Sequence, residues 1–199
     1  MSDVEQGIRE SREIEAEVAA AFRDPAALAP LPADLRKRPR LRLSERPSFG
    51  NYQCWAVWGP NTPVDDPHRD AIARRIVWRH DLDGDRTNPM RRLQRLGQAV
   101  HPSLEVTDII FDAAKLDPLM RARPSLGVPV NTMLNPLSVA LDGERYSLEI
   151  DSGTMRWLYE WFGIDADWTP ASKEDLAVAN WAKELRELVD ALIAVGDGL

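Results

Sequence analysis

Apolar side chains recur every three to four residues at Ile14, Val18, Ala21 and Phe22, which places them on one face of a helix. Ser2 and Glu5 stand in front as a capping-box pair, the hydroxyl and the carboxylate each accepting from a free backbone N–H. Asp24-Pro25 ends this helix, because the residue before a proline is pushed out of the helical region. A second helical stripe runs from about Pro170 to Val195 through Val178, Trp181, Leu185, Leu188, Val189, Leu192 and Ile193, and Gly196 follows as a stop. Between the two helices the period changes. Asn51 to Trp58 is continuous and aromatic between Gly50 and Gly59-Pro60, which predicts a central strand with apolar residues on both faces. Leu104 to Phe111 predicts another strand, followed by a short helical segment near Ala113 to Arg121.

The remaining segments are read from punctuation. Residues 25–49 hold five of the fifteen prolines together with Arg36, Lys37, Arg38, Arg40, Arg42 and Arg46, which predicts an irregular basic connector. Asn61 to Asp66 is turn-rich, and Asp66-Pro67 predicts a short helix to Arg75. Ile76 to Leu82 then reads as a strand, with Ile76, Trp78, His80 and Leu82 on one face and Val77, Arg79, Asp81 and Asp83 on the other. Asn88-Pro89 opens a helix carrying Met90, Leu93, Leu96 and Val100, and residues 124–136 are loop-like. Asp142-Gly143 between Leu137–Leu141 and Arg145–Ile150 predicts a hairpin turn. Asp151 and Ser152 offer caps for a helix bearing Met155, Leu158, Trp161 and Phe162, closed by Gly163.

This order predicts an α+β fold. A mixed or antiparallel sheet that includes a β-hairpin in the C-terminal half packs against several helices, with an N-terminal helix and a long C-terminal helix. One domain of residues 1–199 is expected, divided into a helical arm (1–24), a Pro/Arg-rich connector (25–49) and a main body (50–199).

Composition narrows the setting. With 199 residues and 44% hydrophobic content the chain is long enough for a sizeable core. No run approaches the roughly 18 apolar residues of a membrane span, and the acidic start has no apolar signal core, so the expectation is a cytoplasmic protein that does not enter a membrane. Cys54 is the only cysteine, which excludes an intrachain disulfide and any multi-cysteine metal site. The net charge of -7 is uneven: residues 1–24 carry three basic side chains against seven acidic, 31–50 six against two, and 142–199 five against thirteen. Acidic ends disfavour general nucleic-acid binding and suit a basic protein partner.

Candidate chemistry concentrates in Arg79 to Arg86, where His80, Asp81, Asp83 and Asp85 lie within six residues. Asp81, Asp83 and Asp85 have the alternate spacing of a calcium loop, but the glycine falls at position 4 instead of 6 and position 12 is Arg92 rather than a bidentate glutamate. An ordinary strand end with an Asp83-Gly84 turn is therefore expected, with a metal or acid/base centre as its rival. Cys54, within an apolar strand, is expected to be buried and inert. Neither a Walker A sequence nor GxGxxG, GxSxG or HExxH occurs, and no cofactor is expected. Arg91, Arg92 and Arg95 are candidate anion ligands near the start of their helix, with solvated helix charge as the plainer reading. Among the seven tryptophans, Trp157 falls off its expected helical stripe; Trp157 and Trp168, set among Glu160, Asp165 and Asp167, would form an aromatic anchor with an acidic rim.

The function expected from the sequence is that of a non-enzymatic binding protein, of inhibitor or immunity type, which contacts a basic partner through acidic and aromatic surface. The rivals are a metal-assisted hydrolase or phosphoryl-transfer enzyme built on His80, Asp81, Asp83 and Asp85 with Arg91 or Arg95, and a scaffold that oligomerises through the terminal helix.

Overall fold

A computed structural model describes residues 3–33, 35, 38–47, 50–59, 70–87, 101–122, 145–151, 156–162 and 173–196. Helix α1 (Asp3–Arg23) leads through a 3-10 turn (Pro25–Leu28) into β1 (Leu41–Arg46), β2 (Tyr52–Trp58) and β3 (Asp70–Trp78). Next come α2 (His80–Thr87), β4 (Leu104–Asp112), a 3-10 turn (Ala113–Leu116) and α3 (Asp117–Ala122). Strands β5 (Arg145–Asp151) and β6 (Arg156–Phe162) precede the long α4 (Lys173–Gly196). The six strands form one sheet in the order β4-β3-β2-β1-β5-β6, and every neighbouring pair is antiparallel. The fold is α+β, with its C-terminal hairpin made by β5 and β6.

Four expectations are corrected. The basic connector contains β1, which lies at the centre of the sheet between β2 and β5. Leu41 and Leu43 are buried on one side of it while Arg42, Ser44 and Arg46 take the other, so a period of two overrides the proline-rich surroundings. The short helix expected up to Arg75 is the first part of β3, which needs extended backbone to pair with β4 along its whole length and with β2 from Ile72 to Trp78. The strand expected to reach Leu82 ends at Trp78, and the chain turns at Arg79 into α2 with Asp81 and Asp83 in the first turn, where carboxylates complement the helix dipole. The helix expected after Ser152 is β6, in which Tyr159 and Trp161 alternate into the core. The helix at 88–100, the turn-rich 61–66, the loop at 124–136 and the strand and turn around 137–144 lie outside the described residues.

One face of the sheet packs on α4. Leu43, Trp55, Val57, Leu148, Ile150 and Trp161 meet Val178, Trp181, Leu185, Val189 and Ile193, and each fully buried side chain of this kind contributes roughly 1.5–3 kcal/mol. This is the helix stripe read from the sequence, and the chain's own sheet occupies it. The other face is covered in two pieces. Ile14, Val18, Ala21 and Phe22 of α1 pack on Cys54, Ile76 and Trp78, while Leu35, with Ala26 and Leu31, packs on Ala56, Trp58 and Ile72. Buried Arg74 pins the second piece to the sheet. Its Nε and Nη2 donate to Asp108 at 2.7 Å each, and Nη1 donates to the carbonyls of Pro25 at 2.5 Å and Ala29 at 3.2 Å. Its guanidinium carbon also lies 5.5 Å from the centre of the Trp58 ring.

Candidate anion-binding groove

Alternation along β1, β5 and β6 sends Arg42, Ser44, Arg46, Arg145, Ser147 and Glu160 to the sheet face that α1 only partly covers. Together with Ala19, Phe22 and Arg23 from the end of α1, and Leu158 from β6, they line a groove of about 240 Å³. The ladder fixes their order. Arg42 is opposite Glu149, Ser44 opposite Ser147, and Arg46 opposite Arg145. Side chains directly opposite in an antiparallel pair sit close together, and like charges there are destabilising.

The arginines divide by their partners. Arg42 donates to the Phe22 carbonyl at 3.2 Å and to the Arg23 carbonyl, and its other arm reaches Glu149. It thereby satisfies the last carbonyls of α1, so the negative end of that helix is not presented bare to the groove. Glu149, itself buried, is shared with Arg156, whose pKa that bond holds above its ordinary value. Arg145 meets Glu160 at 3.2 Å. Arg23 and Arg46 have no ion-pair partner among the described residues, which leaves the groove with excess positive charge beside two serine hydroxyls. Behind Ser44 lies Cys54, fully buried, whose thiol burial pushes up to about 11 against the opposing pull of the Ser44 hydrogen bond, Arg42 and Arg46. Such a thiol is protonated and inert at neutral pH.

The expected cluster is drawn apart. His80 stacks on Tyr52 with ring centres 5.9 Å apart and meets the edge of Trp78 at 4.9 Å. Its neighbourhood with Trp78 is as expected, although the turn into α2 produces it rather than a strand register. Asp81 is bound by Arg79 through two contacts of 3.0 and 2.9 Å, and that hydrogen bonding lowers its pKa. Arg79 also reaches Glu105 at 2.7 Å. Asp83, expected to face away from Trp78, is buried and turned toward it. It accepts from Trp78 Nε1 at 2.6 Å, from the Ser103 N–H at 2.7 Å and from Ser103 Oγ at 2.9 Å. The Asp85 side chain lies outside the described residues. Among the described residues no three of His, Cys, Asp or Glu converge as metal ligands.

Trp157, expected off a helical stripe, is half-buried on the α4 side of β6 and packs against the core there. Glu160 lies on the opposite face in the groove, so the two do not share a surface. Asp165, Asp167, Trp168 and the candidate anion ligands Arg91, Arg92 and Arg95 lie outside the described residues. Sequence reading missed Arg23, Arg46, Arg145, Ser44 and Ser147 as a group. The signal was the polar half of two alternations, Arg42/Ser44/Arg46 and Arg145/Ser147/Glu149. Among the described residues no helix is long and apolar enough to cross a membrane. No family model, curated protein or solved structure matches this chain.

Proposed function

We propose that this chain is a binding protein for a small oxyanion, a carboxylate or phosphate group, held in the groove between the end of α1 and strands β1, β5 and β6. The observation that carries this reading is the directly opposed pair Arg46 and Arg145 beside Ser44 and Ser147. Two guanidinium groups supply donors and positive charge, and two hydroxyls can add O–H donors, where an oxyanion supplies acceptors and negative charge. The apolar wall of Ala19, Phe22 and Leu158 suits the carbon body of such a ligand. Binding rather than turnover is favoured because His80, Asp81 and Asp83 are each engaged by neighbouring side chains or backbone, and the Cys54 thiol stays protonated. Recognition remains the theme that composition suggested, but the ligand is acidic where a basic partner was expected. A reduced, buried single thiol fits a cytoplasmic setting.

Calorimetric titration with inorganic phosphate and with acetate tests the reading. At low salt at least one of the two binds, and the double variant Arg46→Gln/Arg145→Gln weakens that binding by roughly tenfold or more, the loss expected for two charge-assisted contacts. Heat without saturation for both anions, or unchanged affinity in the double variant, overturns it.

A further inference from the structure

Strand β4 forms one edge of the sheet, and among the described residues it pairs with β3 alone. We infer that this edge docks an extended segment of a partner protein, one whose alternate side chains read basic, apolar, neutral, apolar. The ladder decides which backbone groups are free to receive it. The Arg79 N–H donates to the Ser103 carbonyl at 2.9 Å, one rung beyond the Trp78 and Leu104 pair. In an antiparallel ladder every second pair carries the bonds, so Glu105, Thr107, Ile109 and Phe111 bond to β3. Val106, Asp108 and Ile110 therefore turn their N–H and C=O groups outward, where an incoming strand can take them up.

The side chains of those three residues point to the α1 side, since they lie opposite Ile76, Arg74 and Ile72. Helix α1 covers Ile76, and Leu35 with Leu31 covers Ile72, but this cover stops short of the edge. Val106 is 40% exposed and Ile110 62%. Asp108 between them is held by both arms of buried Arg74, so it offers no free charge to a partner. A single exposed apolar side chain is ordinary on a surface; two of them along an unpaired strand edge form a template for another strand.

The end of the strand sets the partner's charge. Asp112 follows Ile110 on the same face and is directly opposite Asp70. Both are exposed, and neither has an ion-pair partner among the described residues. One Asp112 oxygen accepts from the Ala114 N–H at 2.8 Å, which orients the carboxylate without neutralising it. Like charges opposite each other are destabilising, and a lysine or arginine set opposite Asp112 on an added strand relieves them. A second copy of this chain supplies no such cation, because β4 has no Lys or Arg from Leu104 to Asp112. The register that would match Val106 with Ile110 between two copies also sets their Asp108 residues against each other. The complement is thus an antiparallel segment from another protein, with a cation opposite Asp112 and β-branched apolar residues opposite Ile110 and Val106.

The test uses the full chain with its backbone amides isotopically labelled, and the peptide acetyl-Arg-Thr-Val-Thr-Ser-Thr-Val-amide as the probe. At low salt and millimolar peptide, the amide resonances of Val106, Asp108 and Ile110 should shift saturably and their hydrogen exchange should slow. The same peptide with Glu in place of Arg should bind roughly tenfold more weakly, and Asp70→Asn/Asp112→Asn should cost the Arg peptide roughly fivefold. Ile110→Pro removes one outward N–H and no bond to β3, a change that an edge strand accepts, and it should abolish binding. If that variant does not fold, the asparagine double variant, which alters only exposed side chains, decides. Arg46→Gln/Arg145→Gln should leave peptide binding unchanged, so this edge and the groove are read separately. Edge amides that do not shift, equal affinity for the two peptides, or full affinity in Ile110→Pro or in the asparagine variant would overturn the inference. So would self-association of the chain alone, seen as concentration-dependent shifts of the same amides.

Discussion

Glu45 and Arg46 are consecutive residues of β1, yet they belong to different layers of the molecule. Glu45 turns toward α4 and Arg46 toward α1. On the α4 side the sheet is nearly all apolar, and the helix stripe that covers it was visible in the sequence. On the α1 side, β2 is apolar and β3 is apolar apart from buried Arg74, but β1, β5 and β6 present arginine, serine and glutamate, and α1 reaches only part of that surface. A single alternation thus serves two ends. One face is spent on burial, which stabilises without regard to ligand, and the other holds polar groups whose geometry is fixed by the ladder behind them.

The largest expected effect tests the α4 side. Leu185 is fully buried at the centre of the helix–sheet interface, so Leu185→Ala should cost about 2–5 kcal/mol through lost transfer free energy and the cavity left behind. Denaturant unfolding measures it. A loss below about 1 kcal/mol would mean that the two layers do not differ in the way their compositions imply.

Cys54 asks how dry the α1 side is. The unfolded thiol has its ordinary value of 9.0 and the folded one a value of about 11. Below pH 9 both states hold the proton and the group contributes nothing to the pH dependence. As pH rises from 9 to 11 the unfolded chain releases the proton while the folded chain retains it, so stability falls over that window by about 2 kcal/mol. Unfolding midpoints at pH 8 and pH 10.5 should show this loss in the native chain and a shallower decline in Cys54→Ala. Equal slopes would mean that water reaches Cys54 and that the cover provided by Phe22 and Val18 is incomplete.

The same contrast explains what could be read from sequence. Ile14, Val18, Ala21 and Phe22 gave α1, and Val178 to Ile193 gave α4, because a buried helix stripe repeats over several turns. Strand β2 was legible from its glycine boundaries and aromatic run. The α1 side was harder for a definite reason: its strands carry polar residues, so their apolar half is short. In β1 only Leu41 and Leu43 marked the period, inside a segment whose prolines and arginines suggested a loop. In β3, Arg74 and Arg75 argued against a buried strand. Arg74 is tolerated there because Asp108, two carbonyls and the Trp58 face surround it, and none of these adjoins it in sequence. In β6, Leu158, Trp161 and Phe162 suited a helix as well as Trp157, Tyr159 and Trp161 suited a strand, and the Asp151-Ser152 cap signal favoured the wrong one. The groove was illegible for the same reason, since its residues converge only once Arg46 is set opposite Arg145.

The smallest effect is the most specific to the groove. Arg46 faces Arg145 across the ladder and has no ion-pair partner among the described residues, so in the absence of ligand their repulsion works against folding. Arg46→Gln keeps the length and a hydrogen-bonding end while removing the charge. At low ionic strength it should raise stability by a few tenths of a kcal/mol, the size of one like-charge ladder pair. In concentrated salt the gain should vanish, because counterions screen partly exposed charges. Comparing unfolding midpoints of the two proteins across a salt series gives the sign directly. A destabilised variant would mean that Arg46 holds the sheet together, and the polar half of the alternation would then be structural on both sides. A stabilised variant that also loses phosphate or acetate affinity would mean that the chain keeps a charge it folds better without, and an anion is what makes that charge useful.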